Sequence, residues 1–114
     1  MTRHDEVTRL WHMLDHASEA MEMAGGRQRE DLDKDRMLNL SLVRLVEIVG
    51  EAATHVSQTT RSRLSNIPWP QIVGFRNRLI HGYDQVDFDV LWKIVQVDLP
   101  PLVVELRKAL GDRT

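Results

Sequence analysis

Leu38-Asn39-Leu40-Ser41-Leu42-Val43-Arg44-Leu45-Val46-Glu47-Ile48-Val49 is the stretch on which the fold turns. Eight of its twelve residues are aliphatic. A helix packed on one side needs only about three in seven. The stretch therefore reads as the middle of a helix running from about Lys34 to His55 and covered on two sides. Such a helix lies either at the centre of a bundle or at a subunit interface. Asp31 and Asp33, in the linker before it, are suited to capping its first turn.

Towards the amino terminus, Val7, Leu10, Trp11, Leu14, Ala17, Met21 and Ala24 recur at three- and four-residue steps and form one amphipathic stripe. Gly25-Gly26 ends that helix, because glycine takes the left-handed cap conformation without steric cost. In the other direction, Ser57 to Asn66 is polar and reads as a loop. Pro68-Trp69-Pro70 starts a third helix, where a proline needs no N–H partner. Ile72, Val73, Arg76, Leu79, Ile80 and Tyr83 fall on one broad face of it, and Gly82 marks its end or a distortion within it.

Asp84 or Asp87 caps a fourth helix carrying Phe88, Leu91, Trp92, Val95 and Leu99. Pro100-Pro101 removes two donors in succession and predicts a kink or break there. Leu102, Val103, Leu106 and Leu110 then resume the period. No segment alternates as a strand does, and no repeat is present. The expectation is an all-α fold: one domain over residues 1–114, a four- to five-helix antiparallel bundle with its C-terminal helix kinked at Pro100-Pro101.

A chain of 114 residues has room for one core. It has no cysteine, which excludes disulfides, thiolate metal sites and cysteine nucleophiles. The charged start Met1-Thr2-Arg3-His4-Asp5-Glu6 leads into no signal-type apolar run, and no stretch reaches the roughly 18 apolar residues of a membrane span. A cytoplasmic protein without membrane contact is expected. The net charge of −2 argues against a surface coated for bulk nucleic-acid binding. Any RNA contact must be local, and Arg61, Arg63, Arg76 and Arg78 are where basic residues gather along the chain.

That segment holds the candidate chemistry. His81 follows Arg76, Asn77 and Arg78 and precedes Gly82 and Tyr83. An imidazole exchanges protons near neutral pH. A guanidinium can hold a phosphate and neutralise charge that builds in a phosphorane-like transition state. Together they could cleave RNA by 2′-OH attack without a metal. On a regular helix, Arg76 and His81 would stand about 140° apart. To meet one phosphate, either the helix is distorted near Gly82 or residues from two subunits combine. Asn77 and His81 share a face, as do Arg76 and Tyr83.

Glu47 and Glu51 lie one turn apart in the second helix. They either orient Arg76 or His81 or serve as ion-pair and interface residues, with Arg44 as a local partner for Glu47. His12 and His16 have ligand spacing but no completing acid, so no metal site is expected. Trp11, Trp69 and Trp92 read as core. The absence of a glycine-rich phosphate loop argues against an ATP site, and no cofactor is expected.

Several pieces, in this order and at these spacings, carry a resemblance. They are Gly26-Arg27 with Asp35-Arg36, then Leu45-Val46-Glu47-Ile48-Val49-Gly50-Glu51-Ala52-Ala53, then Ile67-Pro68-Trp69. Arg76-Asn77-Arg78-Leu79-Ile80-His81-Gly82-Tyr83 follows with Val86-Asp87, then Leu91-Trp92 and Asp98-Leu99-Pro100. In these the chain resembles the HepT-like ribonuclease toxins of the HEPN superfamily over almost its whole length. The resemblance implies a helical homodimer with a composite cleft at its two-fold axis. It makes Arg76 and His81 the catalytic pair of a metal-independent endoribonuclease acting on RNA, tRNA ends included, with Asn77, Arg78 and Glu51 in support. It also implies a minimal nucleotidyltransferase antitoxin that uses ATP to place AMP on Tyr83. The competing reading is a non-catalytic helical module that binds the nucleotidyltransferase or a nucleotide.

Overall fold

The computed structural model describes residues 3–82 and 85–111. Helix α1, Arg3–Ala24, buries Leu10, Leu14, Ala17 and Ala24 of the expected stripe and adds Met13 and Ala20, while Trp11 and Met21 are partly buried and Val7 is exposed. Gly26 at φ 75° turns the chain out of it. A single turn, α2 (Asp31–Lys34), then leads into α3, Arg36–Thr54. Asp35, and neither Asp31 nor Asp33, caps α3: it is extended, and its carboxylate accepts from the Leu38 N–H at 3.0 Å. Asp31 instead accepts from the Gln28 N–H within the linker.

Helix α3 is the centre of the bundle. It packs against α1 on one side and, on another, against the short helices α5 (Trp69–Val73) and α6 (Phe75–Leu79). Leu42, Val46 and Val49 have no solvent exposure. Its early turns are different: Met37 is 80% and Leu40 51% exposed. Central burial thus explains the aliphatic run apart from Leu40, which stays uncovered with Met37 just before the run.

Three expectations are corrected. The polar stretch 57–66 contains a helix, α4 (Gln58–Arg63). Ser57 caps it through Thr60, and α1 supplies what an apolar face normally would. One oxygen of Glu6 accepts from the Ser57 N–H at 2.6 Å, the other from the buried Thr60 hydroxyl at 2.7 Å. No hydrophobic period announces a helix docked through hydrogen bonds.

The third helix is not one helix. Gly74, at φ −83° and ψ 3°, separates α5 from α6. Helix α6 stops at Leu79, before Gly82. Ile80–His81 (β1) is extended and pairs antiparallel with Gln85–Val86 (β2), in the register Ile80 with Val86 and His81 with Gln85. The Leu79 carbonyl goes to the Asp87 N–H at 2.8 Å rather than to a following helical turn.

At the C-terminal end, α7 (Phe88–Lys93), a π-helical turn (Ile94–Asp98) and α8 (Leu99–Leu110) follow one another without a gap. The irregularity expected as a kink or break at Pro100-Pro101 takes the form of a widened turn just before them. The Leu99 N–H reaches back five residues to the Ile94 carbonyl. Both prolines then lie in the first turn of α8, where the missing donors and bulky rings are tolerated. The fold is all-α apart from the two-residue ribbon, and no described helix is long and apolar enough to cross a membrane.

Two carboxylates are held below their ordinary ranges. Glu6 is lowered by the Ser57 and Thr60 hydrogen bonds, and Asp35 by the Leu38 N–H and then Arg27. A depressed native value gives stability that is complete above the unfolded value and lost as pH falls through the native one. Acid unfolding should therefore begin as pH drops below the ordinary Glu and Asp values of 4.5 and 3.8. Glu6→Gln and Asp35→Asn should each flatten that acid limb in circular-dichroism melts taken against pH. Unchanged limbs would show that these contacts do not act in solution.

Candidate active site

The corrected path of residues 74–87 builds the site. Gly50 in α3 allows the third segment to lie close: a Cβ there would sit 3.1 Å from the Ile72 carbonyl oxygen and 3.5 Å from the Phe75 Cβ. Phe75 and Leu79, both with no exposure, plug α6 into the core. Arg76, Asn77 and Arg78 occupy the turn between those plugs.

The three polar residues have different surroundings. Arg76 is 75% exposed, and its Nε lies 3.6 Å from Glu47 Oε2 on α3. Arg78 is tied down: it donates to Asp98 of the π-helical turn at 2.6 Å and lies over the Phe75 ring. Asn77 is exposed, and its side chain makes no hydrogen bond among the described residues. Glu47, rather than Glu51, is thus the glutamate that meets Arg76, and Arg44 does not hold it. Glu51 turns to His55, 3.5 Å away.

His81 gains its partner from the ribbon. Across an antiparallel pair, a residue lies diagonal to the one two places beyond its opposite number, on the same face. His81 opposes Gln85, so Asp87 is its diagonal neighbour. The His81 Nε2 lies 3.4 Å from Asp87 Oδ2. The other oxygen, Oδ1, accepts from the Asp89 and Val90 N–H groups and caps α7. One carboxylate therefore fixes a helix start and faces an imidazole. Asp87 is the capping residue of the two anticipated. Asp84 lies outside the described residues, as does Tyr83.

The 140° separation expected on a regular helix no longer applies, because His81 has left the helix. No hydrogen bond or ion pair joins Arg76 to His81; each has its own carboxylate. Arg76 at 75% and His81 at 63% side-chain exposure are open to a ligand. The four-arginine grouping of the sequence is dispersed. Arg61 donates to the Ala53 and Val56 carbonyls at the end of α3 and lies over Trp69, and Arg63 donates to the Thr60 hydroxyl. Trp69 is core and its indole N–H is satisfied by the Leu64 carbonyl. Trp11 and Trp92 pack on the core as read. His16 Nδ1 is 2.7 Å from the His12 carbonyl, and the described residues hold no group of three or more potential metal ligands.

Sequence reasoning named Arg76, His81 and Glu47 but missed two partners. Asp87 was legible as a cap only, because its second role requires a strand register that four residues do not announce. Asp98 reaches Arg78 across twenty residues, a separation no local pattern carries.

A helical bundle that exposes an arginine on a short helix, and a carboxylate-backed histidine on the ribbon after it, is equipped for acid–base chemistry on a phosphodiester. Residues 13–109 match the model of the Ribonuclease HepT-like family, and the chain belongs to that family. It is similar to "Putative RNase MJ1380" of Methanocaldococcus jannaschii, 32% identical over 93% of this chain and 97% of that one. "Putative RNase TTE0752" of Caldanaerobacter subterraneus subsp. tengcongensis is 33% identical over 89% and 90%. "Probable ribonuclease HepT" of Thermococcus cleftensis is 33% identical over 83% and 90%. No solved structure matches the chain significantly.

Proposed function

We propose that this chain is a metal-independent endoribonuclease, with Arg76 and His81 as its catalytic residues. The observation that carries the reading is the pairing of His81 with Asp87, five residues after an exposed Arg76, in a chain of a ribonuclease family. A carboxylate facing one ring nitrogen orients the imidazole and leaves the other nitrogen to exchange the proton. In the reaction a base takes the 2′-OH proton, the O2′–P bond forms, the P–O5′ bond breaks, and an acid protonates the 5′-oxygen. Arg76 would neutralise the phosphoryl oxygens, and the exposed Asn77 would donate to one of them. Arg78, held by Asp98, fixes the turn that carries both.

In an in-line displacement the attacking 2′-oxygen and the leaving 5′-oxygen lie on opposite sides of the phosphorus, so one imidazole does not reach both. A homodimer would provide a second. The openness of Arg76 and His81, and the uncovered Met37 and Leu40 at the start of α3, favour packing against a second copy. The role that follows is the toxin of a toxin–antitoxin pair in the cytoplasm, with RNA, tRNA included, as substrate. A minimal nucleotidyltransferase would silence it by transferring AMP from ATP to the Tyr83 hydroxyl, releasing pyrophosphate. The added phosphodiester anion would compete for Arg76.

Purified protein should cut RNA in EDTA and leave 2′,3′-cyclic phosphate and 5′-OH ends. Binding of RNA without cutting would favour the non-catalytic module. Co-expression with the nucleotidyltransferase should add one AMP by intact mass, and Tyr83→Phe should abolish the addition. A modified Tyr83→Phe variant would place the AMP elsewhere.

A further inference from the structure

Helices α1 and α3 run antiparallel, so the start of one lies beside the end of the other. Between them is an open groove of about 360 Å³, lined by Arg9 and His12 of α1 and by Arg44, Ile48, Glu51 and His55 of α3. Ile48, with Ala52, gives it a short apolar floor. Its rim is basic in a protein whose net charge is −2.

Among the described residues, neither arginine has an ion pair with a carboxylate. Arg44 is exposed and makes no ion pair, since Glu47 serves Arg76 instead. The Nε of Arg9 is buried and has no hydrogen-bond partner, which is costly for a guanidinium unless a ligand satisfies it. The lone acidic lining residue, Glu51, faces His55. Arg44 also stands one turn along α3 from Glu47, the residue that meets Arg76.

We propose that this groove is a phosphate-binding subsite for the RNA strand flanking the scissile bond, with Arg9 and Arg44 as its principal contacts and His12 and His55 at its edge. This rests on the ribonuclease reading for the identity of the ligand. The guanidiniums ask for an anion, and because neither Arg76 nor His81 lines the groove, the anion it would take is a backbone phosphate rather than the scissile one. Such contacts position a strand without reading bases.

The test is binding of a labelled single-stranded 2′-O-methyl oligoribonucleotide, which has no nucleophile and cannot be cut. Each phosphate contact on a single strand contributes about 0.7 to the slope of log affinity against log salt, or about fivefold at 0.1 M. Arg44→Gln should lose about that much, and the Arg9→Gln, Arg44→Gln pair roughly 25-fold, with a slope lower by about 1.4. Arg107→Gln, on α8, should lose little. With cleavable RNA the double variant should raise KM and leave kcat unchanged.

Unaltered affinity and slope in both groove variants would overturn the subsite. So would an equal loss in Arg107→Gln, which would mean only general charge, or a change of oligomeric state in Arg44→Gln without loss of RNA affinity, which would make the groove a protein interface. Because Arg44 is exposed, its single variant keeps the test valid should Arg9→Gln disturb folding. If no RNA is cut at all but the slope still falls, the ribonuclease reading fails and the subsite stands.

Discussion

His81→Ala is expected to reduce RNA cleavage by roughly 10²–10⁴-fold, the range for losing a general acid–base. Arg76→Ala should cost roughly 10²–10³-fold, as for removing a group that stabilises transition-state charge. Both side chains are mostly exposed and fill no core volume, so melting temperatures should stay within a few degrees of wild type. Arg76→Lys should recover only part of the loss, because an ammonium lacks the planar fork that grips two phosphoryl oxygens. Asp87→Asn separates orientation from folding. Asparagine is also a good helix cap, so stability should hold while kcat falls. Full cleavage by the Arg76→Ala, His81→Ala double variant would remove these residues from the reaction.

The second large effect lies one residue away. Phe75 has no solvent exposure and anchors the single turn that carries Arg76. Phe75→Ala should destabilise the protein by about 3–5 kcal/mol, a fall on the order of 10–20 °C in melting temperature. That is a large share of the roughly 5–15 kcal/mol typical of a domain. Gly50→Leu attacks the same seam from α3. With the Ile72 carbonyl only 3.1 Å from where a Cβ would be, a long side chain must push α5 and α6 outward, at about 1–3 kcal/mol. Thermal melts check both, and a Phe75→Ala protein as stable as wild type would mean that α6 is not held as described. Phe75→Leu, which keeps most of the volume, should sit between.

What the sequence disclosed follows the reach of each signal. Helices α1 and α3 were legible because their apolar period is long and local, and Gly26 does turn the chain at positive φ. Helix α4 was not, because Ser57 and Thr60 dock on Glu6 across more than fifty residues. The helix through residues 69–82 failed for a related reason. Its period is genuine, but the Leu79 carbonyl and the Ile80 backbone find better partners in residues 86–87 than in another turn. Pro100-Pro101 was correctly seen as incompatible with a regular helix. The chain's answer, a five-residue reach between Leu99 and Ile94, is not written in any one residue. Arg76 and His81 were visible as chemistry and through resemblance. Their carboxylates required the fold, and so did the groove between α1 and α3, whose arginines are thirty-five positions apart.

Glu47 gives the resting molecule a particular character. At 3.6 Å from an exposed guanidinium, it is a loosely held internal counterion, and pairs of that kind contribute little to stability. An arriving phosphate therefore does not meet a bare cation; it trades places with an anion already present. Stray chloride or carboxylates gain little from that exchange, while a polyanion gripped at several points gains enough to complete it.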